Sequence, residues 1–183
     1  NNTYPAVGHI RLTTAWDTAI GVPVPPANVV WSGSGSDNNW TTTNNWVNGV
    51  SPVAGDFVTF AGTAQLVNNM DAGYSLGSLT FSNNAGSFNI TNAANTLMLT
   101  GGLTNNSANA QTINVPITLN TTQPINAAAG NVIFAQNMDN NGKTAAFTGS
   151  GNITLNGMLT GSGGVVKSGS GTLTIRLPFT PPA

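Results

Sequence analysis

Short runs in which apolar and polar residues alternate recur along the chain from residue 56 onward. Alternation with a period of two is typical of half-buried β-strands, and the Asn-Asn, Gly-Gly, Asn-Gly and Gly-Ser-Gly pieces between the runs are typical of turns. No long segment places apolar residues at helical spacing, so the pattern predicts an all-β protein. The runs cover residues 57–60, 76–81, 88–90, 96–99, 113–115, 117–119, 131–134, 153–155, 165–166 and 172–175.

Two all-β architectures agree with this spacing, in which a pair of strands recurs about every twenty residues. A sandwich or barrel would have longer strands joined by tight hairpins. A parallel β-solenoid, or β-helix, has short strands, one inward apolar set per coil and Asn-rich corners whose side chains form ladders. The pattern favours the solenoid, with about six coils between residues 56 and 176. The predicted core includes Leu79, Ile90, Leu99, Ile117, Ile133, Ile153 and Leu173.

The two ends of the chain differ from this body. Residues 1–30 contain an alternating stretch followed by a proline-rich extended piece, and residues 177–183 are again proline-rich. We therefore predict an extended N-terminal arm (1–30), a Trp-rich entry segment (31–55), the solenoid (56–176) and a C-terminal tail (177–183). The arm is interpreted either as a strand donated to a neighbouring subunit or as a strand folded back along its own solenoid. The candidate interface residues are Val7, Ile10, Leu12 and Trp16.

Three tryptophans, Trp31, Trp40 and Trp46, lie in the entry segment. Exposed indole rings stack on sugars, whereas buried ones would cover the open end that every solenoid has. Both interpretations remain open at this point, and the end cap is favoured.

The surface carries almost no charge. Charged residues make up 5% of the chain and apolar residues 39%, and the formal net charge is −1. Such a chain folds but has no long-range field, so neither nucleic acid nor an anionic membrane is an expected partner. Low charge also removes repulsion between copies, which favours self-association. No stretch is apolar enough for a membrane span, and there is no cysteine.

Residues 161–168, Gly-Ser-Gly-Gly-Val-Val-Lys-Ser, differ by one residue from a phosphate-binding loop. Such a loop needs glycine before the lysine and a helix after it. Here Val166 precedes Lys167, and residues 169–175 continue as Gly-Ser-Gly and an alternating strand. The segment is therefore predicted to be turn, strand, turn and strand.

The same segment, residues 161–175, resembles the autotransporter-associated β-strand repeat of bacterial surface proteins. Residues 31–62 also resemble the Trp-rich entry that often precedes such repeats. The resemblance implies a parallel β-helix, export from the cell and a structural or adhesive role. The chain starts at Asn1 and ends at Ala183 without an outer-membrane barrel, so we expect a processed, free-standing relative or a released fragment. The matching positions are Gly161, Gly163, Gly164, Lys167, Gly169, Gly171, Thr172, Leu173 and Ile175.

Candidate catalytic groups are few. The chain has no glutamate, and its five aspartates are far apart in sequence. Glycoside hydrolysis needs two carboxyl groups in one groove, and a calcium loop needs more acidic ligands than residues 139–142 offer. His9 has no ligand partner at useful spacing. We expect turn-capping aspartates and no enzyme activity, metal or cofactor. The aspartates are Asp17, Asp37, Asp56, Asp71 and Asp139.

These observations together predict a secreted structural protein at the bacterial cell surface. It is expected to assemble with itself, head to tail, into an extracellular fibre. A carbohydrate-binding or adhesive module that contacts surface glycans is the main alternative, and a β-helix polysaccharide-degrading enzyme comes third.

Overall fold

The computed structural model describes residues 16–17 and 22–176, and within them the chain is a three-sided parallel β-solenoid of about six coils. Each full coil contributes one strand to each of three parallel sheets, which enclose a single apolar core. The predicted fold class is therefore confirmed. Helical structure in this part of the chain consists of two single 3-10 turns, Thr43–Asn45 and Val47–Gly49.

The three sheets form three faces, named here by their strands. Face 1 contains β3 (Asn28–Trp31), β4 (Phe57–Phe60), β7 (Ser78–Phe81), β10 (Leu103–Asn105), β13 (Gln123–Ala127), β16 (Ala145–Gly149) and β19 (Val165–Lys167). Face 2 contains β5 (Val67–Asn69), β8 (Asn89–Thr91), β11 (Gln111–Ile113), β14 (Val132–Phe134), β17 (Ile153–Leu155) and β20 (Leu173–Ile175). Face 3 contains β6 (Tyr74–Leu76), β9 (Leu97–Leu99), β12 (Ile117–Leu119), β15 (Met138–Asp139) and β18 (Leu159–Thr160).

Each coil thus has three strands, whereas the alternation predicted two. The strands that the alternation missed include β10, β13 and β16 of face 1 and β15 and β18 of face 3, whereas β9 and β12 of face 3 lie within predicted runs. Strands β15 and β18 contain only two residues each, too few for a clear period. A further pair, β1 (Trp16–Asp17) and β2 (Val22–Pro23), is antiparallel and belongs to none of the three faces.

Parallel register stacks inward residues of successive coils into columns. One column on face 1 runs through Val58, Leu79, Leu103, Ile125 and Phe147, all buried. Each member packs on the one before and the one after it, so burial requires a coil on both sides. The largest apolar contribution to stability therefore comes from the interior coils.

The predicted core residues are confirmed with two exceptions. Leu79, Ile90, Leu99, Ile117 and Ile153 are buried. Ile133 and Leu173 are wrong, because Ile133 points outward between the inward-facing Val132 and Phe134, and Leu173 lies in the last coil and is only partly buried.

The corners hold successive coils together through asparagine side chains, as predicted. The Asn131 Oδ1 atom accepts the Asn152 N–H at 2.9 Å, and the Asn152 Oδ1 atom accepts the Thr172 N–H at 2.9 Å. At the same corner a Cβ atom on Gly171 would lie 1.9 Å from the Gly151 carbonyl oxygen. The coils therefore approach too closely here for any residue other than glycine.

Residues 161–175 contain a turn, β19, a second turn and β20, so the strand interpretation is confirmed and the phosphate-loop alternative is wrong. The start of the solenoid also differs from the prediction. The arm was expected to reach residue 30, but β3 pairs in parallel with β4 and points Val29 and Trp31 into the core. The prolines just before β3 concealed this short alternation.

Candidate functional site at the two ends of the solenoid

An aromatic cluster closes the N-terminal end of the core. The ring centroids of Trp31 and Trp46 lie 5.0 Å apart, and those of Trp40 and Trp46 lie 5.6 Å apart, both edge to face. Trp40 also packs 5.7 Å from Phe60 and 5.1 Å from Tyr74. The three tryptophans are between 0% and 2% exposed. This geometry is the favourable one for aromatic pairs, and it leaves no indole face open to solvent.

Each indole N–H of the cluster has an acceptor. Trp46 donates to the Trp40 carbonyl at 2.7 Å, and Trp40 donates to the Asn68 Oδ1 atom at 2.7 Å. Trp31 donates to the Ala64 carbonyl at 3.2 Å. A buried tryptophan without a partner would lose the hydrogen bond it makes in water, so these bonds make full burial possible.

The segment that carries Trp40 and Trp46 is held by a hydrogen-bonded loop centred on Asn45. The Asn45 side chain donates to the carbonyls of Asp37 and Asn39 and accepts the Gly35 N–H at 2.9 Å. The Asn39 N–H and the Thr42 hydroxyl bind the Asp37 carboxylate, which lowers the pKa of that carboxyl below its usual value. A loop without apolar alternation thus acquires one conformation through side-chain hydrogen bonds.

The same segment covers the strand edges of faces 2 and 3 at this end. Asn39 forms a parallel bridge with Asn69 of face 2, where the Trp40 N–H donates to the Asn69 carbonyl at 2.9 Å. On face 3 the Gly55 N–H donates to the Ser75 carbonyl at 2.8 Å. The buried Asp56 carboxylate accepts the N–H groups of Ala27 and Val53 and so joins the segment to the chain before β3. Faces 2 and 3 are therefore closed at the N-terminal end.

These positions bear on the two interpretations of the tryptophans. Sugar stacking needs an exposed ring face, and Trp31, Trp40 and Trp46 offer none, so their burial gives the glycan-contact hypothesis no support. Their place over the first coil is the place that the end-cap hypothesis requires. The sequence placed Asn45 in the entry segment without a role, and it did not identify Asn68 and Tyr74 as parts of this end, because no local pattern marks them.

The C-terminal end has no equivalent cover among the residues described through Arg176. Strands β19 and β20 are the last strands of faces 1 and 2. Val165 is 37% exposed, and Leu173 and Ile175 are only partly buried although their register places them in core columns. This end therefore presents apolar side chains beside the outer edges of β19 and β20, which pair with no further strand of the described residues, and such edges are the usual template for adding another strand.

Lys167 makes the face 1 part of this open end different from the face 2 part. It pairs in register with the buried Phe147, so it takes the next position of the face 1 column. Its ammonium group donates to the carbonyls of Ser168 at 2.7 Å and Gly169 at 3.0 Å. The face 1 column thus ends in a charge, whereas the face 2 columns end in Leu173 and Ile175.

The predicted interface residues of the arm fall mostly outside the described part of the chain. Val7, Ile10 and Leu12 lie there, as do residues 177–183, and only the backbone of Trp16 is described. Trp16 belongs to β1, which pairs with β2 and with no strand of the three faces.

Among the aspartates with described side chains, Asp37, Asp56 and Asp71 lie in loops, and Asp139 is the last residue of β15. Asp139 accepts the Asn141 N–H at 2.8 Å, Asp71 accepts the Thr41 N–H at 3.0 Å, and Asp37 and Asp56 hold the N-terminal loops as described above. Within residues 22–176 no group of three His, Cys, Asp or Glu side chains is arranged to hold a metal ion. Burial, with a smaller contribution from Asp71, raises the pKa of Tyr74 to about 12.

No protein-family model, curated protein or solved structure matches this chain. The resemblance of residues 161–175 to the autotransporter-associated repeat therefore stays a prediction. The described residues also include no helix of the length and apolarity that a membrane crossing requires.

Proposed function

We propose that this protein is a secreted structural protein that assembles with itself, head to tail, into an extracellular fibre. One observation carries the proposal, namely the difference between the ends of the solenoid. The N-terminal end is closed by the protein's own aromatic cluster, whereas the C-terminal end leaves Val165, Leu173 and Ile175 partly exposed beside unpaired edges.

Two unlike ends favour a filament over a closed oligomer. A contact between different surfaces of identical subunits repeats without limit unless its rotation closes a ring. Because successive coils stack in parallel along one axis, a subunit added at the open end continues in the same direction. The near absence of charge removes the repulsion that would oppose this growth.

The N-terminal arm is the proposed connector between subunits. Its alternating residues Ile10, Leu12 and Trp16 suit a strand that buries one side, and the prolines at positions 23–26 keep the spacer extended. Export and a place at the bacterial cell surface are proposed from the resemblance of residues 161–175 alone.

The proposal is tested with the purified full-length chain by electron microscopy and sedimentation over a range of concentrations. We expect fibres or a ladder of oligomers, with little change between low and high salt because few charges take part. A chain that stays monomeric at all concentrations would contradict the proposal.

A charged residue at the open end supplies the specific control. Ile175→Asp should weaken association at least tenfold, because it places a carboxylate on the apolar surface of the last coil. Thr174→Asp carries the same charge on the outward side of the same strand and should change association much less. Equal loss in both variants would show that the apolar end is not the contact.

A further inference from the structure

Within the part of the chain that the structure describes, the outer edge of β20 has main-chain groups without a neighbouring strand. The Ile153 N–H donates to the Thr172 carbonyl, and the Arg176 N–H donates to the Leu155 carbonyl, so these residues face β17. Since bonding direction alternates along a parallel strand, the N–H and C=O groups of Leu173 and Ile175 point away from β17. No described strand lies beyond them.

The inward side chains of β20 determine which residue pattern a further strand would need. The two inward columns of face 2 pass through Val132, Ile153 and Leu173 and through Phe134, Leu155 and Ile175. A further strand would cover both columns if it had two apolar residues separated by one polar residue. The sequences Ile-Thr-Leu of β17 and Leu-Thr-Ile of β20 already have this form.

The neighbouring edge on face 1 is less suitable. A strand added to β19 would have to cover Lys167, whose ammonium group is bound to two carbonyls at the end of the column. Covering it without a counter-charge costs free energy, and inward-pointing charges are a known protection of sheet edges. Lys167 therefore directs an incoming strand to β20.

Residues 10–12 of the arm, Ile-Arg-Leu, have the required apolar, polar, apolar order. Placed beside β20, Ile10 would follow Leu173, Leu12 would follow Ile175, and Arg11 would lie on the solvent side next to Thr174. The arm at the start of the chain thus has the residue pattern that a strand next to β20 would need.

The arm of the same molecule has no slack for this position while β1 is paired with β2. Three residues separate residue 12 from β1, and four separate β2 from β3. Nine fully extended Cα–Cα steps and one strand spacing reach about 36 Å, whereas a strand beyond β20 lies seven coil spacings, about 34 Å, from β3 along the axis, before any distance from face 1 to face 2 is added. A second subunit placed at the open end brings its own arm directly to this edge.

We propose that Ile10-Arg11-Leu12 of a second copy of this chain forms the next parallel strand of face 2 on the free edge of β20. This inference rests on the proposed self-assembly and names its acceptor strand, its donor residues and their register.

Engineered cysteines test the register, because the chain has no cysteine of its own. Full-length Arg11→Cys and full-length Thr174→Cys are mixed before concentration and oxidised with glutathione disulfide. Opposite residues of neighbouring strands lie about 4.8 Å apart, a distance that a disulfide spans. We expect a covalent pair with one subunit of each kind, formed at least tenfold faster than with Val166→Cys in place of Thr174→Cys. Val166 is the matched control, since it is the exposed middle residue of β19.

A double variant distinguishes the two possible sources of the arm. Full-length Arg11→Cys/Thr174→Cys should oxidise into covalent chains, and oxidation within single monomers would overturn the inference. Association without faster linkage to position 174 would also overturn it while leaving self-assembly in place. A full-length chain that never associates would overturn both the inference and the proposed function.

Discussion

Both ends of this solenoid consist of the same kind of three-stranded coil, but the apolar core is covered at one end and accessible at the other. At the N-terminal end Trp31, Phe60 and Phe81 stack in one column, and Trp40 and Trp46 close it from above. Towards the C-terminal end the same column contains the small residues Ala127 and Gly149 in place of aromatic rings. The aromatic ring contacts of the described residues all fall between residues 31 and 88.

This difference shows that closing a repeat fold is a separate task from propagating it. Propagation needs only a small apolar set and a glycine or asparagine corner, which every coil supplies. Closure needs large side chains and a dedicated loop, and among the described residues these occur at the N-terminal end. At the opposite end the last described coil has the same form as the interior coils and carries no cover among the described residues.

The largest expected effect comes from breaking the closed end. Trp40→Ala removes a fully buried ring and its hydrogen bond to Asn68, and should lower the free energy of unfolding by about 3–5 kcal/mol. Urea unfolding followed by circular dichroism measures the loss. Trp40→Phe keeps most of the ring volume and should lose clearly less. An Ala variant as stable as the parent would mean that the cluster does not close the core.

The same substitution at both ends sharpens the comparison. Leu79→Ala in an interior coil should cost about 2–5 kcal/mol, because the cavity is enclosed on both sides. Leu173→Ala in the last coil should cost less than half of that in dilute monomer, since the side chain is only partly buried. If assembly covers the open end, the cost of Leu173→Ala should rise with protein concentration. Equal costs for both variants in the monomer would contradict the open end.

The smallest expected effect is a dependence of stability on alkaline pH that arises from Tyr74 at the closed end. The pKa of Tyr74 is raised from 10.0 to about 12, so the neutral phenol is favoured in the folded state. Its stabilising contribution is complete below about pH 10 and is lost as the pH rises from about 10 to about 12. Urea midpoints should fall over this interval in the parent protein.

Tyr74→Phe removes the titrating phenol and keeps the ring against Trp40. Its midpoint should fall less over the same interval. A decline identical to that of the parent would assign the alkaline effect to other groups.

Local alternation was sufficient to predict the all-β class and a part of the strands. Residues 57–60, 153–155 and 172–175 were recognised because each carries two inward apolar residues around a polar one, a signal contained within a few positions. The parallel pairing followed from the shortness of the runs and the absence of hairpin spacing. The only information about long-range contacts in this prediction was the repeat length of about twenty residues.

Other features depended on what lies next to a residue in space. Ile133 is as apolar as its neighbours Val132 and Phe134, so its outward direction is set by the register of β14 with β11 and β17. The sequence around the tryptophans contained no signal that distinguishes a buried indole ring from an exposed one. Asn45 became the centre of a loop only because the folded segment brings Gly35, Asp37 and Asn39 around its amide.

The sequence by itself determined that this chain forms stacked short strands with an uncharged surface, because alternation, turn residues and composition are local properties. The tertiary structure alone decided which end is closed and which is open. Leu173 and Lys167 occupy core columns by register, yet they remain accessible because burial in a solenoid requires a coil on both sides, and no described coil follows theirs.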